Sequence, residues 1–205
     1  MLKIAVFVSG RGSNLRAILD ARDKNYLNIE IKALISDKED CPAVELAKIN
    51  SIPYYFVSKN EKAGFIKFEE LSRLLSDLHI DLVVLAGFLK KIPDDVVELF
   101  ENRIINIHPA LLPSFGGEGM YGINVHKAVF NSSAKISGAT VHFVDKIYDH
   151  GKIIAQTPVD ISDVKSPEEI AERVLKAEHE LLPYVVKVIS EKKYQIVGNR
   201  VYILS

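Results

Sequence analysis

Apolar runs and apolar residues at helical spacing alternate along the first half of the chain. Continuous hydrophobic runs rich in β-branched residues are typical of strands buried on both faces, and apolar positions three and four apart predict amphipathic helices. The predicted strands are 3–8, 30–36, 52–57, 82–86 and 103–108, and the predicted helices are 15–20, 42–50, 65–78 and one that begins at Pro93. This alternation indicates βαβ units with right-handed crossovers, so we expect an α/β fold with a mostly parallel sheet.

The second half predicts an antiparallel addition to that sheet. A short helix over 124–130 is followed by two strand patterns, 138–144 and 152–159, which are joined by a short polar turn. Parallel strands need a long crossover, so a short turn predicts an antiparallel pair, which we place at one edge of the sheet.

The remaining residues predict a long helix and a terminal hairpin. Ser166-Pro167-Glu168-Glu169 is typical of a helix start, with a serine cap, an early proline and acidic residues at the positive end of the helix dipole. The helix is expected to run to about 190 with Pro183 inside it, and 194–204 is expected to form a hairpin around Gly198-Asn199. No linker or repeat interrupts the chain, so we expect a single domain over 1–205.

Composition excludes several classes of function. The chain has 205 residues, 48% of them hydrophobic, and a net charge of −1, with 26 basic residues scattered among 27 acidic ones. A nucleic-acid footprint or a polybasic membrane patch would need clustered positive charge. The single cysteine, Cys41, excludes an internal disulfide and suggests a reducing compartment. The first residues lack a signal-peptide layout, and the longest apolar run, 82–89, is too short to span a bilayer, so we expect a cytoplasmic protein.

Two polar residues interrupt the apolar run that ends at Pro109. In a strand, residues i and i+2 share a face, so Asn106 and His108 are expected to stand side by side. Pro109 denies the next ladder donor and ends the strand. Open α/β sheets bind ligands beyond the carboxyl ends of their strands, which makes this pair a candidate site. The competing interpretation is a pair of hydrogen-bonded core polar groups.

A glycine-rich turn follows the first strand and precedes the first helix. In Ser9-Gly10-Arg11-Gly12-Ser13-Asn14, glycines would allow close backbone approach, and the free N–H groups of the helix N-terminus would face a phosphate. The third glycine of a dinucleotide fingerprint is missing because Leu15 stands there, and the chain has no Gly-Lys-Ser/Thr P-loop. A tight turn with a Ser13 or Asn14 helix cap explains the pattern equally well.

The chemistry that fits these residues is direct acyl transfer through a tetrahedral intermediate. An imidazole can move a proton between two amines, and a side-chain amide can hold a developing oxyanion. Asp149 lies in a turn before Gly151 that could return over Asn106 and His108, where a carboxylate would raise the imidazole pKa. No activated serine or cysteine is evident, and no histidine spacing is diagnostic of a metal site. We read His142 as a packed, hydrogen-bonded neighbour of the site, and His79, His126 and His150 as structural or solvated.

Five motifs resemble the phosphoribosylglycinamide formyltransferase family, in the family's order and over nearly the whole chain. They are Ser9-Gly10-Arg11-Gly12-Ser13-Asn14-Leu15, Val84-Leu85-Ala86-Gly87-Phe88, Asn106-Ile107-His108-Pro109-x-Leu111-Leu112-Pro113, Thr140-Val141-His142-Phe143-Val144 and Asp149-x-Gly151-x-Ile153-Ile154. The resemblance implies a three-layer Rossmann-like formyltransferase fold, with a mainly phosphate-binding half (1–100) and a catalytic and folate-binding half (101–205). It also implies formyl transfer from 10-formyltetrahydrofolate, as co-substrate, to 5-phosphoribosylglycinamide in purine biosynthesis, with no metal.

The same resemblance implies a role for each site residue. Asn106 would polarise the formyl carbonyl, His108 would be the general acid and base, and Asp149 would raise the pKa of His108. The residues implied in ribonucleotide binding are Arg11, Gly12, Ser13, Asn14 and Glu178. Those implied in folate binding, largely through backbone groups, are Leu89, Lys90, Lys91, Ile92, Asn106 and Asp145.

The sequence departs from the family at three places and leaves alternatives open. The loop after Phe88 often reads Met-Arg in the family and here reads Leu89-Lys90. The 116–122 loop is longer and richer in glycine than in short-loop members, and an arginine that often precedes the 65–78 helix has only Lys62 and Lys67 as candidate replacements. The alternatives are another folate-dependent formyltransferase, a formyltetrahydrofolate hydrolase, or a nucleotide-binding module. The expected partners are the two small-molecule substrates, without nucleic acid or membrane, and the expected state is a monomer or weak homodimer.

Overall fold

The computed structural model describes residues 1–204, which form ten strands, six α-helices and one 3₁₀ turn. In chain order these are β1 (Leu2–Val8), α1 (Ser13–Asp23), β2 (Ile29–Ser36), α2 (Ala43–Ile49), β3 (Tyr54–Ser58), β4 (Ile66–Lys67), the 3₁₀ turn Phe68–Glu70, α3 (Leu71–Asp77), β5 (Leu82–Leu85), α4 (Asp94–Leu99), β6 (Ile104–His108), α5 (Ile123–Asn131), β7 (Ile136–Phe143), β8 (Ile153–Asp160), α6 (Pro167–Ser190), β9 (Tyr194–Val197) and β10 (Arg200–Ile203).

Eight of these strands form one sheet in the order β4-β3-β2-β1-β5-β6-β7-β8. The pairs of β1 with β2 and β5, of β5 with β6, and of β3 with β2 and β4 are parallel. The pair β7–β8 is antiparallel, with Ser137 opposite Val159 and Thr140 opposite Gln156. The predicted α/β fold with a mostly parallel sheet and an antiparallel edge is therefore confirmed.

The chain divides into two compact units, and the division falls inside β6. The first unit is Met1–Asn106 and the second begins at Ile107. The single domain over 1–205, with its halves 1–100 and 101–205, stays a prediction.

The core of the first unit is built on β1, whose residues from Ile4 to Val8 are fully buried. Central parallel strands are covered on both faces, which explains the continuous apolar run there. Helix α1 buries Leu15, Ile18 and Leu19, the residues at helical spacing. Apolar spacing along the chain therefore predicts both elements on either side of the glycine turn.

One predicted element of the first unit is wrong in part. The predicted helix over 65–78 is α-helical only from Leu71 to Asp77. Ile66 and Lys67 form a short edge strand instead, paired with Val57 and Ser58 of β3. The backbone hydrogen bonds that this pairing supplies take the place of a helical turn.

The second unit contains the antiparallel pair, α5, α6 and the terminal hairpin. The Ser166 side chain caps α6 by accepting a hydrogen bond from the Glu169 amide at 3.3 Å, as the sequence predicts. The predicted terminal hairpin is confirmed as β9–β10, with Tyr194 opposite Ile203. Among residues 1–204, no helix combines the length and apolar character that a bilayer crossing requires.

Candidate functional site

Three titratable side chains of the second unit come together as a His–Asp–His cluster made of His108, Asp149 and His142. The Nδ1 atom of His108 lies 3.5 Å from Oδ2 of Asp149, and the Nε2 atom of His142 lies 3.6 Å from the other carboxylate oxygen. Both imidazoles are buried, with residue exposures of 2% each. The structure thus brings the predicted residues His108 and Asp149 together and adds His142.

His108 is the last residue of β6, and both of its ring nitrogens are engaged. Its Nε2 atom lies 2.9 Å from the carbonyl oxygen of Phe115, so this nitrogen carries the proton and donates it. Nδ1 then faces the Asp149 carboxylate. A proton added at Nδ1 would convert that facing lone pair into a charge-assisted hydrogen bond. The geometry therefore lets the ring take up a proton on the carboxylate side.

His142 is held by its own strand. Its Nδ1 atom lies 2.7 Å from the Phe143 carbonyl, which fixes the proton on Nδ1 and turns Nε2 toward Asp149. The β7–β8 pairing shifts register at this point, between Val141 and His142. The predicted role of a packed, hydrogen-bonded neighbour agrees with this burial and contact.

The tight turn between β7 and β8 positions the Asp149 carboxylate. Asp149 has a φ of 54°, and its Oδ2 atom accepts a hydrogen bond of 2.9 Å from the Gly117 amide. A Cβ atom at position 151 would stand 1.8 Å from the Phe143 carbonyl oxygen, so only glycine fits beside β7 there. The glycine two residues after Asp149 is thus required by packing, which explains the Asp149-x-Gly151 pattern.

The pKa values of His108 and Asp149 favour a neutral His108 imidazole beside an ionised carboxylate. Burial lowers the pKa of His108 below 6.5, and the negative charge of Asp149, which acts in the opposite direction, offsets it only partly. The predicted upward influence of Asp149 on this pKa is present, but burial outweighs it. Burial raises the pKa of Asp149, but the contact with His142 and the positive charge that His108 carries when protonated lower it by more, so the net pKa is below 3.8.

A third buried imidazole, His126 in α5, interacts electrostatically with His108. Burial, and then the charge of His108, lower its pKa from 6.5 to about 4. Its Nδ1 atom is buried without a hydrogen-bond partner among the described residues. His150, by contrast, is exposed and pairs with Asp145 at 2.7 Å, and His79 is also exposed. Of the three histidines read as structural or solvated, only His126 is buried.

The predicted glycine turn lies in the first unit, between β1 and α1. Gly12 precedes α1 with a φ of 74°, and a Cβ atom there would approach the Ala43 Cβ atom to 2.6 Å. No side chain caps the helix, so the alternative of a Ser13 or Asn14 cap is wrong. Arg11 is exposed, Ser13 is half-buried and Asn14 is buried. The conformation of the turn therefore depends on Gly12, and the N-cap position of α1 has no side chain that could accept a hydrogen bond from the helix.

The other predicted ligand residues lie on both units. In the loop after β5, Leu89, Lys90 and Lys91 are exposed and Ile92 is buried; Asn106 and Asp145 are half-buried, and Glu178 is buried in α6. Lys62 pairs with Glu39 at 3.7 Å and lies over the Phe65 ring, and Lys67 pairs with Glu61 at 3.2 Å. Both candidate replacements for the family arginine are therefore already engaged.

Contacts from the 114–122 loop to the cluster escape sequence reasoning. The Phe115 carbonyl accepts a hydrogen bond from His108, and the Gly117 amide donates one to Asp149. Every residue has these backbone groups, so the amino-acid sequence does not reveal which of them make such contacts. Among residues 1–204, no three or more His, Cys, Asp or Glu side chains form a group that could hold a metal ion.

Comparisons with known proteins agree with the motifs. The formyl transferase family profile matches residues 2–186. The chain is 46% identical over 193 residues to the chloroplastic phosphoribosylglycinamide formyltransferase of Arabidopsis thaliana, which covers 93% of this chain and 66% of that protein. Against related chloroplastic proteins of Vigna unguiculata and Glycine max it spans 62% and 64% of their lengths.

Bacterial relatives match over almost their full length. The Haemophilus influenzae phosphoribosylglycinamide formyltransferase is 33% identical over 204 residues, which cover 99% of this chain and 94% of that protein. The crystal structure of glycinamide ribonucleotide transformylase 1 from Symbiobacterium toebii superposes with a TM-score of 0.90 at 32% identity, covering 100% of this chain and 95% of that one. The chain belongs to the formyl transferase family, and within it to the phosphoribosylglycinamide formyltransferases.

Proposed function

We propose that this chain transfers the formyl group of 10-formyltetrahydrofolate to the primary amine of 5-phosphoribosylglycinamide, as a step of purine biosynthesis. The observation that carries the proposal is a buried neutral imidazole, His108, held beside an ionised carboxylate, Asp149, in a member of this family. An imidazole that is neutral before reaction can accept a proton, and a nearby carboxylate stabilises the imidazolium that results.

The proposed reaction needs no covalent enzyme intermediate. The substrate amine attacks the formyl carbon, forming the new C–N bond and an oxyanion that the Asn106 side-chain amide stabilises. His108 removes a proton from the attached nitrogen and delivers a proton to N10 of the folate. The bond between the formyl carbon and N10 then breaks, releasing tetrahydrofolate and the N-formyl product. Because both ring nitrogens of His108 are engaged, one of its present contacts is exchanged during proton transfer.

Substrate binding is assigned to two groups of residues. The nucleotide phosphate would lie against the backbone of Gly12, Ser13 and Asn14 with help from Arg11, and Glu178 would contact the ribose. The folate pteridine would lie against Leu89, Lys90, Lys91 and Ile92 and near Asn106 and Asp145. The exposed residues after β5 and the start of α1, where no N-cap side chain is present, support these assignments.

The test is a formyl-transfer assay with three acceptors. With 10-formyltetrahydrofolate as donor, we expect rapid production of tetrahydrofolate with 5-phosphoribosylglycinamide and only background release with methionyl-tRNA or water. Release without any acceptor would identify a hydrolase, and transfer to methionyl-tRNA would identify a different formyltransferase. The cytoplasmic location and the monomeric or weakly dimeric state are further proposals, which fractionation and sedimentation would test.

A further inference from the structure

Hydrogen bonds between β1 and β5 continue past the ends of both strands. Within the strands Phe7 lies beside Leu85, and the Ala86 amide donates to the Phe7 carbonyl at 2.9 Å. Beyond them the Ser9 amide donates to the Gly87 carbonyl at 3.0 Å. The next donor, the amide of Leu89, reaches the Ser9 hydroxyl at 2.9 Å, so a side chain serves as the acceptor.

These contacts join two segments that are proposed to bind different substrates. Ser9 opens the glycine turn, and Leu89 opens the 89–92 loop. The Phe7 and Phe88 rings pack edge to face beside these contacts, with their centroids 5.2 Å apart. Ser9 is 4% exposed, so its hydrogen bonds compete little with water. We define the Ser9 clasp as two hydrogen bonds, the one that the Ser9 amide donates to the Gly87 carbonyl and the one that the Ser9 hydroxyl accepts from the Leu89 amide.

The glycine turn is also held by hydrogen bonds on its other side. The Gly10 carbonyl accepts hydrogen bonds from the Cys41 thiol at 3.0 Å and the Ala43 amide at 3.4 Å. Displacement of the turn when it binds an anion is therefore resisted by α2 on one side and transmitted through the Ser9 clasp on the other. Tightly packed segments of this kind move together, because close-packed interiors transmit strain.

We propose that Ser9 is a positioning residue that couples the two substrate-binding segments, so that occupancy of the glycine turn by the nucleotide phosphate orders the 89–92 loop for the folate. The inference rests on the proposed function. Coupling of this kind is reciprocal, so bound folate tightens nucleotide binding by the same factor. The hydroxyl of Ser9 touches neither substrate in this scheme and acts only through the Leu89 amide.

The chain offers a matched control at the end of the neighbouring strand. Ser36 lies beside Val8 at the end of β2 and is 1% exposed. Its hydroxyl donates to the Lys38 carbonyl at 3.1 Å and accepts from the Lys38 amide at 3.2 Å, both within its own loop. Ser36→Ala therefore removes a buried serine hydroxyl at a strand end without touching the 89–92 loop. A general loss of local order would affect both variants, whereas lost coupling would affect only Ser9→Ala.

The experiment measures nucleotide binding by calorimetry with and without tetrahydrofolate. In the unmodified protein we expect tetrahydrofolate to tighten binding of 5-phosphoribosylglycinamide by about fivefold or more, within the usual range of coupling factors. Ser9→Ala should reduce that factor to within about twofold of unity and raise KM for 10-formyltetrahydrofolate about tenfold with less effect on kcat. Ser9→Thr, which keeps the hydroxyl, should restore the coupling, and Ser36→Ala should leave it unchanged.

Hydrogen exchange at the Leu89 amide supplies a second measurement that needs no variant. Nucleotide alone should slow exchange of this amide in the unmodified protein, even if Ser9→Ala proves too unstable to study. Unchanged exchange on nucleotide binding, or a coupling factor in Ser9→Ala equal to that of the unmodified protein, would overturn the inference. A protein that binds neither substrate would overturn the proposed function as well, whereas normal transfer without coupling would overturn the inference alone.

Discussion

The glycine turn of the first unit and the His–Asp–His cluster of the second unit are built by different means. At the turn, positive φ at Gly12 and close contact with Ala43 shape the backbone, and no side chain caps α1. At the cluster, three side chains from three separate segments converge, and backbone groups only orient them. The turn works through conformation, whereas the cluster works through burial and charge.

This difference teaches what each region can tolerate. The turn depends on the absence of side-chain atoms, so an added methyl group damages it even when no charge changes. The cluster depends on protonation states, so a substitution that keeps the shape but alters charge damages it. Changes at the turn should therefore appear in stability and nucleotide binding, and changes at the cluster in turnover and its pH dependence.

The largest effect is expected for His108→Ala. Removing the only proposed proton carrier should lower kcat by about 10²–10⁴-fold, the usual contribution of a general acid and base. Calorimetry should show that both substrates still bind, since the glycine turn is untouched. Activity within a few-fold of the unmodified enzyme would remove His108 from the mechanism.

The next largest effect is expected for Asp149→Asn, which keeps the shape and removes the charge. The carboxylate raises the pKa of His108 against the effect of burial, so its loss should lower that pKa further. We expect kcat to fall about 10²-fold and the acid limb of the kcat/KM profile to move to lower pH.

Asp145→Asn is the matched control in the same turn. Asp145 pairs with the exposed His150, whereas Asp149 faces His108, so the acid limb of Asp145→Asn should stay in place. An acid limb that moves equally in both variants would show that charge anywhere in the turn, and not the contact with His108, sets the profile.

The glycine turn is tested by comparing Gly12→Ala with Gly64→Ala. Both glycines have positive φ, 74° and 79°, but a Cβ atom meets Ala43 at position 12 and open space at position 64. Both variants should lose about 1–2 kcal/mol of unfolding free energy for the left-handed conformation, and Gly12→Ala about 1–3 kcal/mol more for overpacking. Urea unfolding measures both, and KM for the nucleotide should rise only in Gly12→Ala. Equal losses in the two variants would contradict the contact with Ala43.

The sequence predicts the turn better than the cluster because the turn is local. Glycines at fixed spacing between a buried strand and a helix carry the geometry of residues 9–15 within one short segment. The partners of Asp149 are positioned by features far from it in the sequence. The end of β6 positions His108, and the β7–β8 register positions His142. Pattern and resemblance paired His108 with Asp149, but no pattern showed the Phe115 carbonyl or the Gly117 amide.

The misjudged segment of the fold has a similar cause. Apolar spacing from 65 to 78 predicts one helix, yet Ile66 and Lys67 pair with β3 at the sheet edge. Short edge pairing depends on where a neighbouring strand ends, which local spacing does not contain. The buried central strands were predictable because burial on both faces imposes a continuous apolar run.

The smallest effect is expected for His126, whose burial in the second unit makes the free energy of unfolding depend on pH. Its pKa is 6.5 when exposed and about 4 in the folded protein, so the unfolded chain binds the extra proton first as pH falls. Stability from neutral His126 is therefore complete above pH 6.5 and is lost progressively as the pH falls toward 4. Between pH 7.5 and 5 this loss amounts to about 1–2 kcal/mol.

The variant His126→Gln should flatten that loss. Gln carries no titratable group, so the unfolding free energy from urea titration should fall about 1–2 kcal/mol less between pH 7.5 and 5 than in the unmodified protein. His79→Asn is the control: His79 is exposed with a φ of 53°, which asparagine tolerates, and its replacement should leave the pH slope unchanged. Asp149 does not contribute to the difference between pH 7.5 and 5, because its pKa lies below 3.8 and its effect on the unfolding free energy falls at lower pH. A slope that is the same in His126→Gln and the unmodified protein would mean that His126 binds its proton equally well in the folded and the unfolded chain, which would contradict the effect of its burial.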